Sequence, residues 1–181
     1  MLRKMSINLT AVTLTILRFL AEDPDNSFHG REIAESAGVS SGAASMTLRA
    51  LQDSGLLGME EKGRMKFYKL DLSNPVSREF KVLFNIMDLR KLVEDLKGDT
   101  ERIILFGSSA EGKDAKDSDL DLFILARDPS RAKDAVRRAG KKLVRHLSTI
   151  IVDAQGEIRL RRDERPLYDN ISRGRILWEK E

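Results

Sequence analysis

The sequence predicts an α+β fold in which helices and a β-hairpin come first, a linker helix follows, and a mixed sheet flanked by helices ends the chain. Three patterns predict this order. Apolar residues recur at helical spacing through the first 54 residues. Alternating runs on either side of Lys62-Gly63 indicate a hairpin. Two short apolar runs, 103–106 and 123–125, are separated by turn-forming residues and indicate two neighbouring buried strands.

Length and composition limit the classes of protein that the chain can belong to. Its 181 residues, 41% hydrophobic and 34% charged, suffice for one medium or two small folded domains. The sequence has no cysteine, which excludes disulfides and thiolate metal sites and fits a reducing cytoplasm. No apolar run is long enough to cross a bilayer, so we expect no membrane partner. The net charge of +3 permits a nucleic-acid partner without indicating one.

The first predicted domain, residues 1–74, reads as three helices and a hairpin. The helices are expected at 9–20, at 29–37 and from Ser40 or Ser41 to about Ser54, and the strands at 56–60 and 65–70. This order, carried by the segment from Gly30 to Asp71, resembles the winged helix-turn-helix domains of bacterial and archaeal transcription regulators. The resemblance implies that the third helix enters a major groove of DNA while the hairpin, or wing, touches the backbone. It implies these DNA-binding residues: Ser41, Ser45, Arg49, Lys62, Arg64 and Lys66.

The charge of this domain argues against tight DNA binding by a monomer. Residues 1–74 contain as many acidic as basic residues, and Arg49 is the only cation of the third helix. Because the neutralisation of phosphates drives most non-specific affinity, we expect weak binding. Winged helices also serve in dimerisation or in docking to other proteins, and the sequence leaves these alternatives open.

A linker helix is predicted at residues 75–98, between the first domain and a second one at 99–181. Apolar residues resume helical spacing after Pro75, and Gly98 ends the pattern. Such a helix can pack between two domains, pair with its twin in a homodimer, or complete the core of the second domain. The pattern does not choose between these roles.

The stretch RIILFGSSAEGKDAKDSDLDLFIL, from Arg102 to Leu125, contains the residues with the clearest chemistry. Asp119 and Asp121 are two residues apart at the start of a strand, so their side chains project from the same face. Two carboxylates held this close repel each other, and a hard divalent cation such as Mg²⁺ removes the repulsion while keeping substrate phosphates among its ligands. The bend at Gly107-Ser108, one strand away, offers backbone N–H groups and a hydroxyl to a phosphate.

An apolar strand, Gly-Ser, a short loop with a glycine, and Asp-x-Asp opening the next strand together resemble the nucleotidyltransferase superfamily that includes DNA polymerase β. The match is nearest to its small prokaryotic branch, the minimal nucleotidyltransferases. The resemblance implies that Asp119 and Asp121 are catalytic and bind Mg²⁺ or Mn²⁺, and that Gly107 and Ser108 hold the phosphates of ATP or another nucleoside triphosphate. It adds three further candidates for nucleotide binding: Ser109, Lys113 and Ser118. The implied reaction moves AMP from ATP to a hydroxyl of a protein, an RNA or a small molecule.

Two positions depart from the family's pattern. Members usually carry a third carboxylate in the third strand, where it helps to bind the metal and takes the proton of the nucleophile; the STIIVD segment places Thr149 there. Asp153 is the nearest acid, and we predict it as the third catalytic residue if the register is shifted. Many members also have an arginine where this chain has Glu111, and Lys113 is then the nearest cation.

These departures leave three functions open. The first is a nucleotidyltransferase coupled to a DNA-binding winged helix, although without a general base its turnover should be slow. The second is a DNA-binding regulator, or an antitoxin-like protein with a toxin-like partner, whose degenerate domain senses nucleotides. The third is a module that only binds other proteins.

The rest of the second domain is predicted from its periodicity and its turns. A helix is expected to start at Asp128-Pro129 and to carry an apolar face as far as Val144. Its other face is basic, and serves either as a solvated surface or as a contact for RNA, DNA or an acidic protein: Arg131, Lys133, Arg137, Arg138, Lys141, Lys142 and Arg145. A strand at 148–152, helices at 157–162 and 166–172, and a strand at 175–179 complete the expectation. His29 and His146 are not expected to bind metal, and His29 suits a helix start.

Overall fold

The computed structural model describes residues 8–141 and 143–180. Packing divides the chain into two units, the first ending at Lys81 and the second beginning at Val82. Residues 1–7 of the predicted first domain and Lys142 of the predicted basic face lie outside the described residues. Each unit is described by itself below.

The first unit has the element order of a winged helix-turn-helix, as the sequence predicts. Its elements are α1 (Ala11–Glu22), β1 (Phe28–His29), α2 (Gly30–Ser36), α3 (Ser41–Asp53), β2 (Leu57–Lys62), β3 (Met65–Leu70) and the start of α4 (Pro75–Leu96). The strands form an antiparallel sheet in the order β1-β3-β2. The fully buried residues Ile16, Leu17, Ile33, Leu48 and Leu51 form its helical core.

The helices of this unit begin at side chains that accept hydrogen bonds from otherwise unpaired amides. The Thr10 hydroxyl accepts from the Thr13 amide at 3.2 Å, and the Ser40 hydroxyl accepts from the Ala43 amide at 3.2 Å. The His29 Nδ1 atom accepts from the Arg31 amide at 3.3 Å, so His29 is indeed a residue of a helix start. The sequence left the cap of α3 between two serines, and the structure selects Ser40.

The wing closes over the two-residue turn Gly63-Arg64. Lys62 pairs with Met65, and Gly63 has a φ of 66°, in the left-handed region that glycine adopts without strain. The strand β1 is a correction to the sequence analysis, which did not include it. Its residue Phe28 pairs with Tyr68 of β3, and two residues are too few to produce an alternating pattern.

The second unit is a four-stranded mixed sheet with helices on both faces. It contains the end of α4, then β4 (Thr100–Phe106), α5 (Gly107–Glu111), β5 (Leu120–Ala126), α6 (Pro129–Gly140), β6 (Leu147–Val152), α7 (Ala154–Asp163), α8 (Arg165–Ser172) and β7 (Arg175–Glu179). The strand order is β6-β5-β4-β7, in which β5 and β6 are parallel and the other pairs are antiparallel. The predicted neighbouring strands β4 and β5 therefore lie side by side at the centre of the sheet.

Alternation along the central strands gives the sheet two apolar faces. On one face, Leu122 and Ile124 pack with Leu89 and Leu92 of α4 and with Val136 of α6. The end of α4 is thus part of this core, which is one of the roles that the sequence left open. On the other face, a second cluster is built around Phe123 together with these residues: Ile104, Phe106, Leu125, Leu160, Leu167 and Ile171.

Two predicted elements of the second unit are corrected. The helix α6 ends at Gly140, and Val144, which was expected on its apolar face, is fully exposed beyond its end. The segment after Gly107, expected as a loop, begins with the short helix α5. The motif's glycine and serine are helix-start residues as well as turn residues, so residue type alone does not distinguish the two structures.

Candidate functional site

The acid pair lies where β5 begins. Asp121 is the second residue of β5 and pairs with Phe106, the last residue of β4. Side chains alternate along a strand, so Asp121 shares the face of Phe123, and Asp119 lies one residue ahead of the strand. The Cα atoms of the two acids are roughly 6–7 Å apart at the usual strand rise. Asp119 has 48% of its side chain exposed and is open to solvent.

The carboxylate of Asp121 lies directly against the bend at Gly107. A Cβ atom built on Gly107 would lie 2.7 Å from Asp121 Oδ2, closer than such atoms approach each other. Gly107 also has a φ of 68°, in the left-handed region. Both the backbone conformation and the missing side chain are therefore required for this approach, which joins the end of β4 to the acid pair.

The bend continues into α5, which turns the two serines in different directions. Ser108 is exposed, so its hydroxyl is available to a ligand. Ser109 is fully buried, and its hydroxyl donates to the Phe106 carbonyl at 3.4 Å. The structure thus brings Ser108 to the surface of the site and places Ser109, also predicted to bind nucleotide, in the interior.

The loop between α5 and β5 carries the remaining candidates for nucleotide binding. Lys113 is exposed and forms an ion pair with Glu111 at 2.6 Å, so the one predicted loop cation lies beside an acid. The Ser118 hydroxyl accepts from the Ala115 amide at 2.9 Å and stabilises the turn that leads into the acid pair. Ser118 is therefore placed as a residue of the loop's own structure.

His146 is a residue of the site that the sequence analysis did not place there. Its Nδ1 atom lies 3.3 Å from Asp119 Oδ1, and its carbonyl accepts from the Leu120 amide at 2.9 Å. The contact arises because β6 runs parallel to β5, so the residue before β6 lies beside the residues that open β5. Only the parallel pairing of the two strands could have indicated this neighbour.

The DNA-binding candidates of the first unit lie on α3 and the wing, and all six are exposed: Ser41, Ser45, Arg49, Lys62, Arg64 and Lys66. Acids accompany several of the cations. Arg49 lies 4.0 Å from Asp53, Lys62 lies 3.2 Å from Glu60, and Lys66 lies 3.7 Å from Glu61. These acids reduce the positive electrostatic potential of the surface, which agrees with the equal numbers of acidic and basic residues in positions 1–74.

A cleft of about 270 Å³ lies between the start of α2, the start of α3 and the wing. It brings together Ser41, Ser45 and Lys66 with His29 and Arg31. Arg31 is exposed and was not among the predicted DNA-binding residues, because it precedes the helix that was expected to enter the groove. The structure adds it to the cations on this side of the first unit.

Residues 86–171 match the family model of the nucleotidyltransferase domain. The match begins within α4, ends in α8, and includes the glycine-serine bend and the acid pair. The chain therefore carries a nucleotidyltransferase domain in its C-terminal part. This confirms the resemblance on which the sequence analysis relied for the second domain. The comparison with curated proteins finds no match to the chain.

Two solved structures are similar to this chain over its N-terminal half. One is a homodimeric winged helix-turn-helix DNA-binding domain from Mycobacterium bovis, a possible ArsR-family transcriptional regulator. It has a TM-score of 0.39 and 25% identity, over 46% of this chain and 73% of that one. The other is a DNA-binding protein from Sulfolobus solfataricus, with a TM-score of 0.33 and 18% identity, over 50% of this chain and 96% of that one.

The nucleotidyltransferase domain has a serine where a third acid would face the acid pair. In the parallel pairing of β5 and β6, Asp121 lies opposite Ser148, while Thr149 lies opposite Leu122 on the other face. The sequence analysis assigned this position to Thr149, and the register corrects the assignment by one residue. A one-residue shift reverses the face of every side chain, which is why the correction matters.

Asp153 does not complete the acid pair. It follows the last residue of β6, whose partner is Leu125, so it lies toward the opposite end of the strands from Asp121. Its carboxylate accepts from the Gly156 amide at 2.6 Å and caps α7. The expectation of a shifted register is thus corrected. Among residues 8–141 and 143–180, no three acids or histidines are grouped so that they could hold a metal ion.

None of the helices in the described part of the chain combines the length and the apolar composition that a membrane span needs.

Proposed function

We propose that the second unit is a Mg²⁺-dependent nucleotidyltransferase that transfers AMP from ATP to a hydroxyl group on a protein or another acceptor. The observation that carries the proposal is the contact between Asp121 and the bend, where a Cβ on Gly107 would come within 2.7 Å of the carboxylate. This contact supports the proposal because it holds a carboxylate, the kind of group that Mg²⁺ prefers, beside backbone amides suited to binding phosphate. The family match over residues 86–171 supports the same reaction class.

The donor groups of the site fit a hard divalent cation, Mg²⁺ or Mn²⁺. Asp119 and Asp121 offer carboxylate oxygens at the partly exposed start of β5, and such ions prefer oxygen ligands. When bound, the ion would neutralise charge on the triphosphate and on the departing pyrophosphate. Gly107 and Ser108 provide the complementary donors, an amide and an exposed hydroxyl, for phosphate oxygens.

In the proposed reaction the acceptor's hydroxyl oxygen forms a bond to the α-phosphorus of ATP, and the bond from that phosphorus to the bridging oxygen breaks. Pyrophosphate leaves with the electrons of the broken bond, and the hydroxyl gives its proton to solvent water. Ser148, opposite Asp121, is a poor proton acceptor at neutral pH. We therefore expect slow turnover compared with a site that has a carboxylate there.

The first unit is proposed to bind DNA through α3, the wing and the cleft that contains Arg31. Its exposed hydroxyls and cations lie on the helix and the wing that a winged helix-turn-helix uses to contact DNA, and Arg31 adds a cation to those predicted. The acids beside Arg49, Lys62 and Lys66 predict weak, salt-dependent binding by one copy. Such a domain would bring the second unit to a DNA site or take part in transcription regulation.

A second candidate function is supported by the serine at the position of the third acid. With Ser148 opposite Asp121, the site retains two carboxylates for a metal–nucleotide complex but lacks an acidic proton acceptor. A protein of this kind would bind the nucleotide without consuming it. It would act as a DNA-binding regulator, or as an antitoxin-like protein, whose second unit senses nucleotides.

Transfer of label from α-labelled ATP to protein or RNA acceptors distinguishes the two functions. We expect slow, Mg²⁺-dependent transfer by the natural protein and none by the double variant Asp119→Asn with Asp121→Asn, because the metal ligands are gone. Asp117→Asn is the matched control, since Asp117 is an exposed acid just ahead of the strand. Binding without transfer would favour the sensor, and transfer by the double variant would contradict the assigned site.

A further inference from the structure

One arginine near the site, Arg145, donates hydrogen bonds to four different residues. Arg145 lies between α6 and β6, with 21% of its side chain exposed. Its Nη1 atom donates to Asp114 Oδ2 at 2.7 Å and to Asn85 Oδ1 at 3.0 Å. On its other edge, Nε and Nη2 donate to the Ser118 carbonyl at 3.0 and 2.7 Å. A single guanidinium thus connects α4, the loop after α5 and the residue before Asp119.

The partners of Arg145 are buried and satisfy one another. The Asp114 side chain has no exposed surface, and Asn85 is 4% exposed. The Asn85 amide nitrogen donates to Asp114 Oδ1 at 3.2 Å and to the Ser109 carbonyl at 3.0 Å. A carboxylate is this deeply buried only when a charge and hydrogen bonds compensate it. The network therefore has a defined geometry, and its members depend on one another.

The main-chain acceptors of this network belong to the two segments that form the proposed nucleotide site. The Ser118 carbonyl is the last acceptor before Asp119, and Arg145 Nη2 lies 3.5 Å from the Asp119 carbonyl as well. The Ser109 carbonyl belongs to α5, the helix that starts at Gly107. One side-chain network therefore contacts the backbone of both segments.

We propose that Arg145 is a positioning residue of the nucleotide site: together with Asp114 and Asn85 it holds the backbone that carries Asp119 against the bend at Gly107. This inference rests on the proposed function, whereas the network itself follows from the contacts of Arg145. Arginine is suited to the task because its planar guanidinium presents donors along two edges in a fixed arrangement. A lysine at this position keeps the charge beside Asp114 and loses the second edge that reaches Ser118.

The test compares Arg145→Lys with Arg138→Lys in the full 181-residue chain. Arg138 is an exposed arginine of α6, so its variant controls for the chemical change alone. Without nucleotide, we expect amide hydrogen exchange in Arg145→Lys to become about tenfold faster at Lys113, Ser118 and Leu120, because lost hydrogen bonds lower the local opening free energy. Exchange in β4 and α8 should stay unchanged, as should all exchange in Arg138→Lys.

Calorimetry adds a measurement that a merely structural role would not change. The thermal midpoint of unfolding is measured first, so that a variant that is merely less folded is recognised. With a midpoint equal to that of the natural protein, Arg145→Lys should bind Mg-ATP about tenfold more weakly, while Arg138→Lys should bind it equally well. If Arg145→Lys fails to fold, Asn85→Ala removes the link to the Ser109 carbonyl and keeps the ion pair. It should then show the faster exchange at Lys113.

The outcomes separate this inference from the proposed function. If the natural protein binds no nucleotide, the proposed function fails, and the exchange data alone decide whether Arg145 fixes the loop. Faster exchange in Arg145→Lys that is confined to the loop supports the positioning role. If the natural protein binds Mg-ATP, weaker binding by this variant is also expected. Equal exchange in the two arginine variants, or faster exchange spread over the whole second unit, would overturn it.

Discussion

The two units differ in how closely they hold their candidate functional groups. In the second unit, adjacent strands bring the Asp121 carboxylate against the bend at Gly107, so closely that a Cβ atom on Gly107 would collide with Asp121 Oδ2. In the first unit, the candidates are spread over α3 and the wing, and acids lie beside most of the cations. A site built on paired strands therefore has a geometry that single substitutions can test. A surface that binds through its total charge can be tested only by the combined effect of its charged residues on affinity and salt dependence.

The largest effect is expected from supplying the acid that the second unit lacks. Ser148→Asp places a carboxylate opposite Asp121 on the same face, where it can accept a proton. We expect label transfer from ATP to become about a hundredfold faster, the usual contribution of a general base. Thr149→Asp is the matched control because it lies on the other face of the same strand, and it should give no gain. Equal rates for both variants would mean that this position does not face the reacting groups.

A smaller effect is expected from closing the gap at the bend. Gly107→Ala adds a Cβ atom against Asp121 and a side chain to a left-handed residue. The strain should destabilise the second unit by about 1–2 kcal/mol, and displacement of the carboxylate should weaken Mg-ATP binding about tenfold or more. Gly98→Ala, which meets no atom within 4 Å, is the control for both measurements. Unchanged nucleotide binding in Gly107→Ala would separate the bend from the site.

The smallest effect is expected in the first unit, where no single residue should dominate. Arg64→Glu at the tip of the wing should weaken binding to duplex DNA a few-fold at low salt and lower the salt slope by about one to two, since each phosphate contact contributes about 0.9. Fluorescence anisotropy over a range of salt concentrations measures both quantities. Glu32→Gln in α2 provides an exposed control away from the wing. A complete loss of binding in Arg64→Glu would contradict the expectation that many residues of this surface each contribute a small part of the DNA affinity.

Much of this architecture was predictable because its signals are local. The spacing of apolar residues gave the helices of the first unit, and Gly63 gave the turn of the wing. The strand–bend–strand order around Gly107 and Asp121 needed only the knowledge that consecutive strands pair. The shared face of the two acids followed from the alternation of side chains along a strand.

What could not be predicted depends on pairing between distant segments. The assignment of Thr149 instead of Ser148 was wrong because strand register is set by packing across the sheet, which one strand's sequence does not reveal. Asp153 was predicted as catalytic, but the start of α7 uses it as a cap. Neither His146 nor Arg145 follows a motif, and both reach the site only because β6 lies parallel to β5.

The proposed function requires that Asp119 and Asp121, beside the bend at Gly107, hold a divalent cation bound to the phosphates of a nucleotide. Isothermal titration of the full chain with ATP, with and without Mg²⁺, tests it most directly. We expect saturable, Mg²⁺-dependent heat that disappears when both aspartates are changed to asparagine. No heat from the natural protein with any nucleoside triphosphate, or the same heat from the double variant, would contradict it.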